Sequence, residues 1–333
     1  MRAHPWRARN SASVYPRPRL APVMSATRLN TVIASWIAAP GARHWGLMAV
    51  PDLSAFMYTN STNPRTAAGR SIPPGAFMAR RSPPAPVGLD VADARIQLVE
   101  QIRRVPKAPP TIDLQSYVGS PVPVLGLSVP QLRRILKDFW RAHRDLDEKS
   151  VNALARALWP GQTFEEKIVA IGLLSQYEKV LGDASWALTD GWVDEATGWG
   201  LSDSLAAGPV AGMVRSKPAR FRAILRWTRA TNLWRRRAST YALHRYVRAK
   251  ELDRPFQLLE KLLRDREFWV QRAVGTWLRE CWKVDRKRTE KFLVSHIQRG
   301  LPPVVVSVAT ERASKAFRAR LRRMNTWKRA PKR

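Results

Sequence analysis

The sequence predicts an all-α fold, a right-handed α-solenoid built from helical hairpin repeats. The first observation is a step of 35 residues between large apolar side chains, which separates Trp199, Trp234 and Trp269 and continues at Phe164 and Val304. Apolar residues that recur at such an interval are typical of hairpins that bury their faces only against neighbouring hairpins. The second observation is that almost no segment alternates with a period of two, so strands are not indicated.

The first 88 residues are predicted to form a disordered leader. Residues 1–89 contain eleven arginines, 12 of the 25 prolines and a single acid, Asp52. Proline removes backbone donors and clashes with the preceding helical turn, so this composition disfavours helix. Two other interpretations remain open: an organelle-targeting peptide, which is also rich in arginine and poor in acids, and translation begun too early. In the second case the true start would be one of four methionines, Met24, Met48, Met57 or Met78.

From residue 89 onward the pattern becomes that of a folded domain, which we expect to cover residues 89–312. The segment from Asp90 to Ile102 has apolar residues at helical spacing and acids in its first turn, where the helix dipole favours them. A proline-rich link follows. Ser128 then caps a strongly amphipathic helix with Pro130 in its first turn.

The rest of the domain is predicted to be a succession of helices separated by short breaks. These breaks contain proline or glycine and lie at Pro160-Gly161, Gly182-Asp183, Gly208-Pro209, Lys217-Pro218, Arg254-Pro255 and Pro302-Pro303. The β-branched run from Val304 to Val308 falls in register with the repeats, which favours the start of a helix. Residues 313–333 form a basic tail that should begin as a helix and end frayed.

The charge and the single cysteine limit the function classes. The formal net charge is +32, from 58 basic and 26 acidic residues, which indicates a polyanionic partner, either nucleic acid or an acidic membrane surface. No apolar run is long enough for a spanning helix. Cys281 is the only cysteine, which excludes an internal disulfide or a thiolate metal cluster and suits a reducing, intracellular compartment. The histidines show no metal-ligand spacing, and no phosphate-binding or nucleophile-elbow motif is present.

One repeat differs from the others at the position where chemistry could occur. Arginine follows the tryptophan by three places in two copies, at Arg237 and Arg272, whereas the copy at Trp199 has Ser202 there and an acid, Asp203, next. The i, i+4 spacing places the Trp199 ring and the Asp203 carboxylate on one helix face. The alternative is a core tryptophan beside a solvated or capping acid.

Two further segments have both a functional and a structural interpretation. The three arginines at 235–237 open a helix and could bind phosphate through guanidinium and backbone N–H groups, or could form a solvated basic face. The stripe that includes Val274 and Trp277 is typical of core packing. Gly275 inside that helix costs about 1 kcal/mol against alanine, which suggests a close neighbour or a ligand.

Together these segments resemble the AlkD-like DNA alkylation repair glycosylases, a family built of HEAT-like helical repeats. The resemblance covers roughly residues 126–310. The segments that carry it are Gly126-Leu127-Ser128-Val129-Pro130-Gln131-Leu132-Arg133-Arg134, Trp199 with Asp203, Asn232-Leu233-Trp234 with Arg237-Ala238, and Val270-Gln271-Arg272-Ala273-Val274-Gly275 with Leu278-Arg279-Glu280.

The resemblance implies hydrolysis of the N-glycosidic bond of N3- or N7-alkylated purines in duplex DNA, with neither metal nor cofactor. It gives Trp199 the role of a lesion-facing aromatic, Asp203 that of the catalytic carboxylate and Arg237 that of a DNA-backbone contact. We expect Arg236 and Arg272 to contact phosphates as well. The partner would be duplex DNA and no membrane, the protein a monomer, and the location the cytoplasm with its nucleoid, unless the leader targets an organelle.

The sequence departs from the family pattern at two aromatic positions, one of which is Gly198, since the tandem Trp-Trp common in the family is Gly198-Trp199 here. The family usually has a second lesion-facing tryptophan directly after the glycine that matches Gly275, where this chain has Thr276 and places Trp277 one residue later. One residue turns a side chain by about 100° around a helix, so Trp277 is expected in the core.

The rival hypothesis is a non-catalytic HEAT-like nucleic-acid-binding or scaffold protein. The glycosylase hypothesis requires Trp199, Asp203 and Arg237 to converge on one solvent-open concave surface, and it fails if Asp203 is buried or faces the convex side.

Overall fold

The computed structural model describes residues 88–107, 110 and 112–327, which belong to one compact unit. Every regular element in these residues is helical, as the sequence predicts. The predicted leader, apart from Gly88, lies outside the described residues, and so does the end of the basic tail from residue 328.

Three helices precede the regular repeats. They are α1 (Val91–Arg104), α2 (Leu114–Val118) and α3 (Val129–Ala142). The Asp90 carboxylate accepts hydrogen bonds from two backbone N–H groups at the start of α1. Ser128 and Gln131 form a capping box at the start of α3. The Ser128 side chain accepts from the backbone N–H of Gln131, and the Gln131 side chain accepts from the backbone N–H of Ser128. Both predicted helix starts are therefore confirmed.

The repeats follow as helical hairpins. Their helices are α4 (Glu148–Leu158) with α5 (Phe164–Gln176), α6 (Asp183–Glu195) with α7 (Trp199–Leu205) and its continuation α8 (Ala211–Ser216), α9 (Phe221–Trp227) with α10 (Leu233–Tyr241) and α11 (His244–Arg248), α12 (Asp253–Leu262) with α13 (Phe268–Val284), and α14 (Arg286–Ile297) with α15 (Pro303–Ala309). The basic tail begins as α16 (Lys315–Met324).

The 35-residue step marks the start of the second helix in each hairpin. Phe164 and Trp199 are the first residues of α5 and α7, while Trp234, Trp269 and Val304 are the second residues of α10, α13 and α15. The β-branched run at Val304 is helical, as its place in the repeat predicts. The periodicity therefore reports a real structural repeat.

The second helices form a continuous row. Helix α7 packs between α5 and α10, and α13 packs between α10 and α15, while α4, α9, α12 and α14 each pack against a helix of this row. Gly275 belongs to the closest of these contacts. A Cβ atom at Gly275 would lie 2.7 Å from Val308 Cβ on α15. The glycine thus serves close helix packing, which was one of its two interpretations.

The helix that carries Trp199 and Asp203 is interrupted one turn later. Residues Ala206–Val210 form a π-type turn that contains Pro209, and Gly208 has non-helical dihedral angles. Proline lacks the N–H that the regular helix needs, so the hydrogen-bond ladder shifts at this point. The whole turn is buried, which fixes α7 firmly in the row.

Candidate active site

Asp203 and Arg237 form a buried ion pair between adjacent repeats. Arg237 Nη2 lies 2.6 Å from Asp203 Oδ2, and Arg237 Nε lies 2.7 Å from Oδ1, so the bond is bidentate. The two residues are only 2% and 5% exposed. This geometry matches the planar fork of a guanidinium to both carboxylate oxygens, the strongest form of such a pair.

Arg237 also binds two neighbours on the row of second helices. Its Nη1 donates to the Trp269 carbonyl oxygen at 2.6 Å, and its Nη2 donates to the Tyr241 hydroxyl at 3.0 Å. The guanidinium carbon lies 5.1 Å from the centre of the Tyr241 ring. Arg237 therefore connects three successive repeats through one side chain.

Asp203 and Arg237 meet, and Trp199 lies one turn before Asp203 on α7, but the expected solvent-open surface is wrong for all three residues. Trp199, Asp203 and Arg237 are only 8%, 2% and 5% exposed. The reason is the register itself: the arginine of one repeat falls opposite the acid of the preceding repeat, and the two charges neutralise each other. In this arrangement the carboxylate does not face solvent, and the guanidinium does not face a phosphate.

Trp199 is held by a segment outside the repeats. Its indole N–H donates to the Tyr117 carbonyl oxygen at 2.5 Å, and the Tyr117 ring meets the indole edge-on at 5.3 Å. The backbones come this close because Gly198 and Gly119 touch. Gly198 has φ +81°, and a Cβ atom there would lie 2.1 Å from the Gly119 carbonyl oxygen. Helix α2 therefore docks on the start of α7 and places Tyr117 beside the pair.

Three exposed aromatic side chains adjoin residues of this site, and we call them the aromatic rim: Trp269, whose carbonyl oxygen binds Arg237, Phe268 beside it, and Tyr117, which packs on Trp199. They are 38%, 49% and 37% exposed, and they are three of the five exposed large hydrophobic side chains among the described residues. The Phe268 and Trp269 rings lie 5.4 Å apart, and the Arg237 guanidinium lies 5.9 Å from the Trp269 ring. Exposed apolar clusters of this kind mark binding surfaces.

The rim corrects the interpretation of the tryptophan repeat and adds residues to the site. The 35-residue step implies that its large apolar residues are buried between neighbouring hairpins, yet more than a third of Trp269 is exposed. Tyr117 and Phe268 were not foreseen as site residues. Phe268 could have been suspected from its place beside a repeat tryptophan, whereas Tyr117 comes from a segment with no repeat register.

Arg272 is the arginine of this site that has no salt bridge within the described part of the chain. Its half-buried guanidinium lies 5.9 Å from the Phe268 ring. Burial and then the positive charge of Arg237 lower the pKa of Arg272. Burial raises the pKa of the Tyr117 hydroxyl, and the charge of Arg272 opposes that shift, which sets Arg272 close to the rim. Its position suits a bound anion.

Arg236, the third arginine predicted to contact DNA, is held by the protein. Its Nε lies 2.7 Å from Asp265 Oδ2, and its Nη1 donates to the carbonyl oxygens of Ala230 and Thr231 at 2.8 and 2.9 Å. The side chain is 16% exposed. These bonds tie the turn before α10 to the next hairpin, and they occupy most of the guanidinium.

Trp277 lies in the core, as its position one residue after the family's usual tryptophan predicts, and Thr276 occupies that usual position. Trp277 is 4% exposed, and its ring meets the edge of the Tyr241 ring at 5.4 Å in the core. Thr276 is half-buried, one helical turn after Arg272 on α13. The rim therefore has no tryptophan at the position that the family usually fills.

Neither a metal site nor a membrane span is found in the part of the chain that the structure describes. Its His, Cys, Asp and Glu side chains form no cluster of three or more with the geometry of a metal site. Its helices are too short or too polar to cross a bilayer.

The comparisons with known proteins point to one family. Residues 99–313 match the sequence model of the family described as DNA alkylation repair enzyme. The fold is similar to that of a solved structure named predicted DNA alkylation repair enzyme from Enterococcus faecalis, with a TM-score of 0.55 and 18% identity over 64% of this chain and 99% of that chain. It is also similar to AlkD2 from Streptococcus mutans, with a TM-score of 0.51 and 13% identity over 67% of this chain and 98% of that chain. No curated protein sequence matches the chain.

Proposed function

The chain belongs to the family of DNA alkylation repair enzymes, and from this premise we propose that it is a DNA glycosylase. Its substrates would be N3- or N7-alkylated purines in duplex DNA, and its reaction the hydrolysis of their N-glycosidic bond. The observation that supports this most is the contact between Asp203 and Arg237, the acid and the arginine to which the resemblance gives roles, next to the aromatic rim. In the proposed complex they would offer a carboxylate and a phosphate-binding group to one nucleotide. Because Asp203 is buried in the free protein, the proposal requires a change of its partner when DNA binds.

The reaction needs little more from the protein than a negative charge close to the sugar. An N7-alkylated purine already carries a positive charge and leaves readily, so no proton has to be donated to it. Positive charge develops on the sugar as the bond breaks, and the ionised Asp203 carboxylate would stabilise it and orient the attacking water. Aromatic faces near the cationic base add cation–π attraction of about 0.5–2 kcal/mol.

The reaction requires Asp203 to be released from Arg237. A guanidinium fork binds a phosphate with the same two-point geometry as a carboxylate. We propose that a phosphate of the bound duplex replaces Asp203 as the partner of Arg237, which leaves the carboxylate facing the sugar. This exchange would give Arg237 its DNA-backbone role and Asp203 its catalytic role in a single step.

Release of free base from alkylated duplex DNA tests the proposal. The wild-type protein should release 7-methylguanine or 3-methyladenine, and Asp203→Asn should slow the release by about a hundredfold or more, the effect of losing one electrostatic stabiliser. Asp190→Asn is the matched control, because Asp190 also pairs with an arginine, Arg235 at 2.9 Å, outside this site. Equal rates for the wild type and Asp203→Asn would remove Asp203 from the mechanism.

A second candidate is a non-catalytic HEAT-repeat protein that binds nucleic acid or acts as a scaffold. The observation that favours it is the burial of Asp203, which the glycosylase hypothesis did not expect. Such a protein would bind duplex DNA through Arg272 and the aromatic rim without cleaving it. The same assay separates the two candidates, since tight binding of alkylated duplex with no release of base would support the second.

A further inference from the structure

We propose that the C-terminal helix α16 is a second DNA-binding surface, which contacts the duplex to one side of the candidate active site. Between Arg312 and Trp327 the chain has six basic residues and no acid. Five of the six are exposed: Arg312, Lys315, Arg320, Arg322 and Arg323. None of them makes a salt bridge within the described residues, although many arginines elsewhere in the chain do. This surface is therefore a concentrated field of uncompensated positive charge.

The helix is a rigid platform for these charges. Leu321 is fully buried, and the Phe317 ring lies 5.6 Å from the Trp282 ring of α13. The apolar side of α16 is thus packed against the domain, and the cations project from the remaining surface. Residues after the helix hold it in place as well, because the Asn325 amide bonds both the N–H and the carbonyl of Leu301.

The basic segment begins next to α13, the helix that carries Arg272. Arg272, Thr276 and Arg279 lie at i, i+4 and i+7 on α13, which is one stripe of a helix. Arg279 Nη1 lies 2.7 Å from the carboxylate of Glu311, the residue just before the basic segment. Seven residues of helix span about 10 Å. The Arg279–Glu311 bond therefore anchors the start of the basic segment to a point about 10 Å along α13 from Arg272.

These observations favour duplex DNA over an acidic membrane. A helix that lies in a membrane interface needs an apolar face to bury in the lipid, and the apolar face of α16 is already packed on Trp282. Duplex DNA carries one charge per roughly 1.7 Å of its axis, so a second basic surface near the site meets further phosphates. The feature also lies beyond the residues matched to the family, which end at residue 313.

Charge reversal on α16 provides the test. The triple variant Arg320→Glu, Arg322→Glu and Arg323→Glu is compared with the wild type for binding of an undamaged 30-base-pair duplex over a range of salt concentrations. Each lost phosphate contact lowers the log–log salt slope by about 0.9, so we expect a fall of about 2 to 3 and at least tenfold weaker binding at moderate salt.

The matched control is Arg222→Glu, Lys261→Glu and Lys287→Glu. These residues are exposed, make no salt bridge within the described part of the chain and lie on α9, α12 and α14, the helices packed against the row. The change in net charge is the same. We expect less than threefold weaker binding, and equal weakening by both triple variants would overturn the proposal.

Two further arms complete the design. Vesicles containing phosphatidylserine replace the duplex in one arm, and a variant that loses vesicle binding but keeps duplex binding would also overturn the proposal. In the other arm, glutamine replaces the same three arginines, and the salt slope should again fall by about 2 to 3, because the same phosphate contacts are lost. This variant gives the readout if the glutamate variant unfolds. The inference rests on duplex DNA as the partner but not on base release, so a protein without glycosylase activity could still pass it.

Discussion

Arg237 and Arg272 occupy the same position in successive repeats, three residues after a tryptophan, yet their surroundings are opposite. Arg237 is 5% exposed and bound to Asp203 at two points. Arg272 is half-buried and makes no salt bridge within the described residues. The residue in the preceding repeat explains the difference. The place four residues after Trp199 holds Asp203, whereas the place four residues after Trp234 holds Ala238.

The comparison teaches that in a repeat protein the function of a side chain depends on the neighbouring copy as much as on its own. One difference between the repeats, Asp203 where the next repeat has Ala238, decides the states of the two arginines. Arg237 is bound by a carboxylate, whereas Arg272 is available to an anion. Both states stand side by side beneath the aromatic rim.

The largest effect should come from removing Arg237. Arg237→Met leaves the buried Asp203 carboxylate without its main partner, which typically costs about 3–5 kcal/mol of the free energy of unfolding. Arg272→Met should cost about 1 kcal/mol or less, since it breaks no ion pair. Urea unfolding followed by circular dichroism measures both. The double variant Asp203→Leu with Arg237→Met should recover most of the loss, and similar losses in both single variants would contradict the comparison.

The next effect is on pH dependence, because His244 lies beneath the same row of helices. Burial, with help from the charges of Arg245 and Arg248, lowers the pKa of His244 to about 4. The unfolded chain takes up a proton near pH 6.5 and the folded protein only near pH 4, so stability falls as the pH drops through this window. The slope should reach about 1.4 kcal/mol per pH unit. Arginine side chains stay charged over this pH range, so the comparison of Arg237 with Arg272 can be repeated at each pH.

Urea unfolding between pH 4 and 8 measures this slope, and His244→Gln should flatten it. The partly exposed His296 provides the matched control, and His296→Gln should leave the slope in place. A slope that His244→Gln does not change would assign the pH dependence to another group.

The sequence predicted the helical architecture correctly but not the burial of Asp203 and Arg237, and the reason is physical. The 35-residue step follows from the similar length of chain in each hairpin, so Phe164 and Val304 mark helix starts as the tryptophans between them do. The register also singled out Asp203. Whether Arg237 binds that carboxylate depends on the distance between neighbouring helices, and the repeat register does not give that distance.

Two further features of the site were beyond the reach of the repeat pattern. Tyr117 reaches Trp199 from 82 residues away, through a contact between Gly119 and Gly198 that no periodicity announces. The exposure of Trp269 depends on which neighbours cover the start of α13. The periodic residues thus specify the helical scaffold, whereas residues outside the periodic pattern specify the exposed surface of the site.

The smallest effect, and the sharpest for the comparison, concerns Arg272 and DNA. If Arg272 holds one phosphate, Arg272→Gln should lower the log–log salt slope of duplex binding by about 0.9 and weaken binding several-fold, with stability unchanged within about 1 kcal/mol. Arg236→Gln is the matched change, because Arg236 follows the same tryptophan as Arg237 but is bound to Asp265. We expect it to reduce stability and to leave the salt slope as it is. Fluorescence anisotropy of a labelled duplex measures both, and the reverse pattern would exchange the roles given to these two arginines.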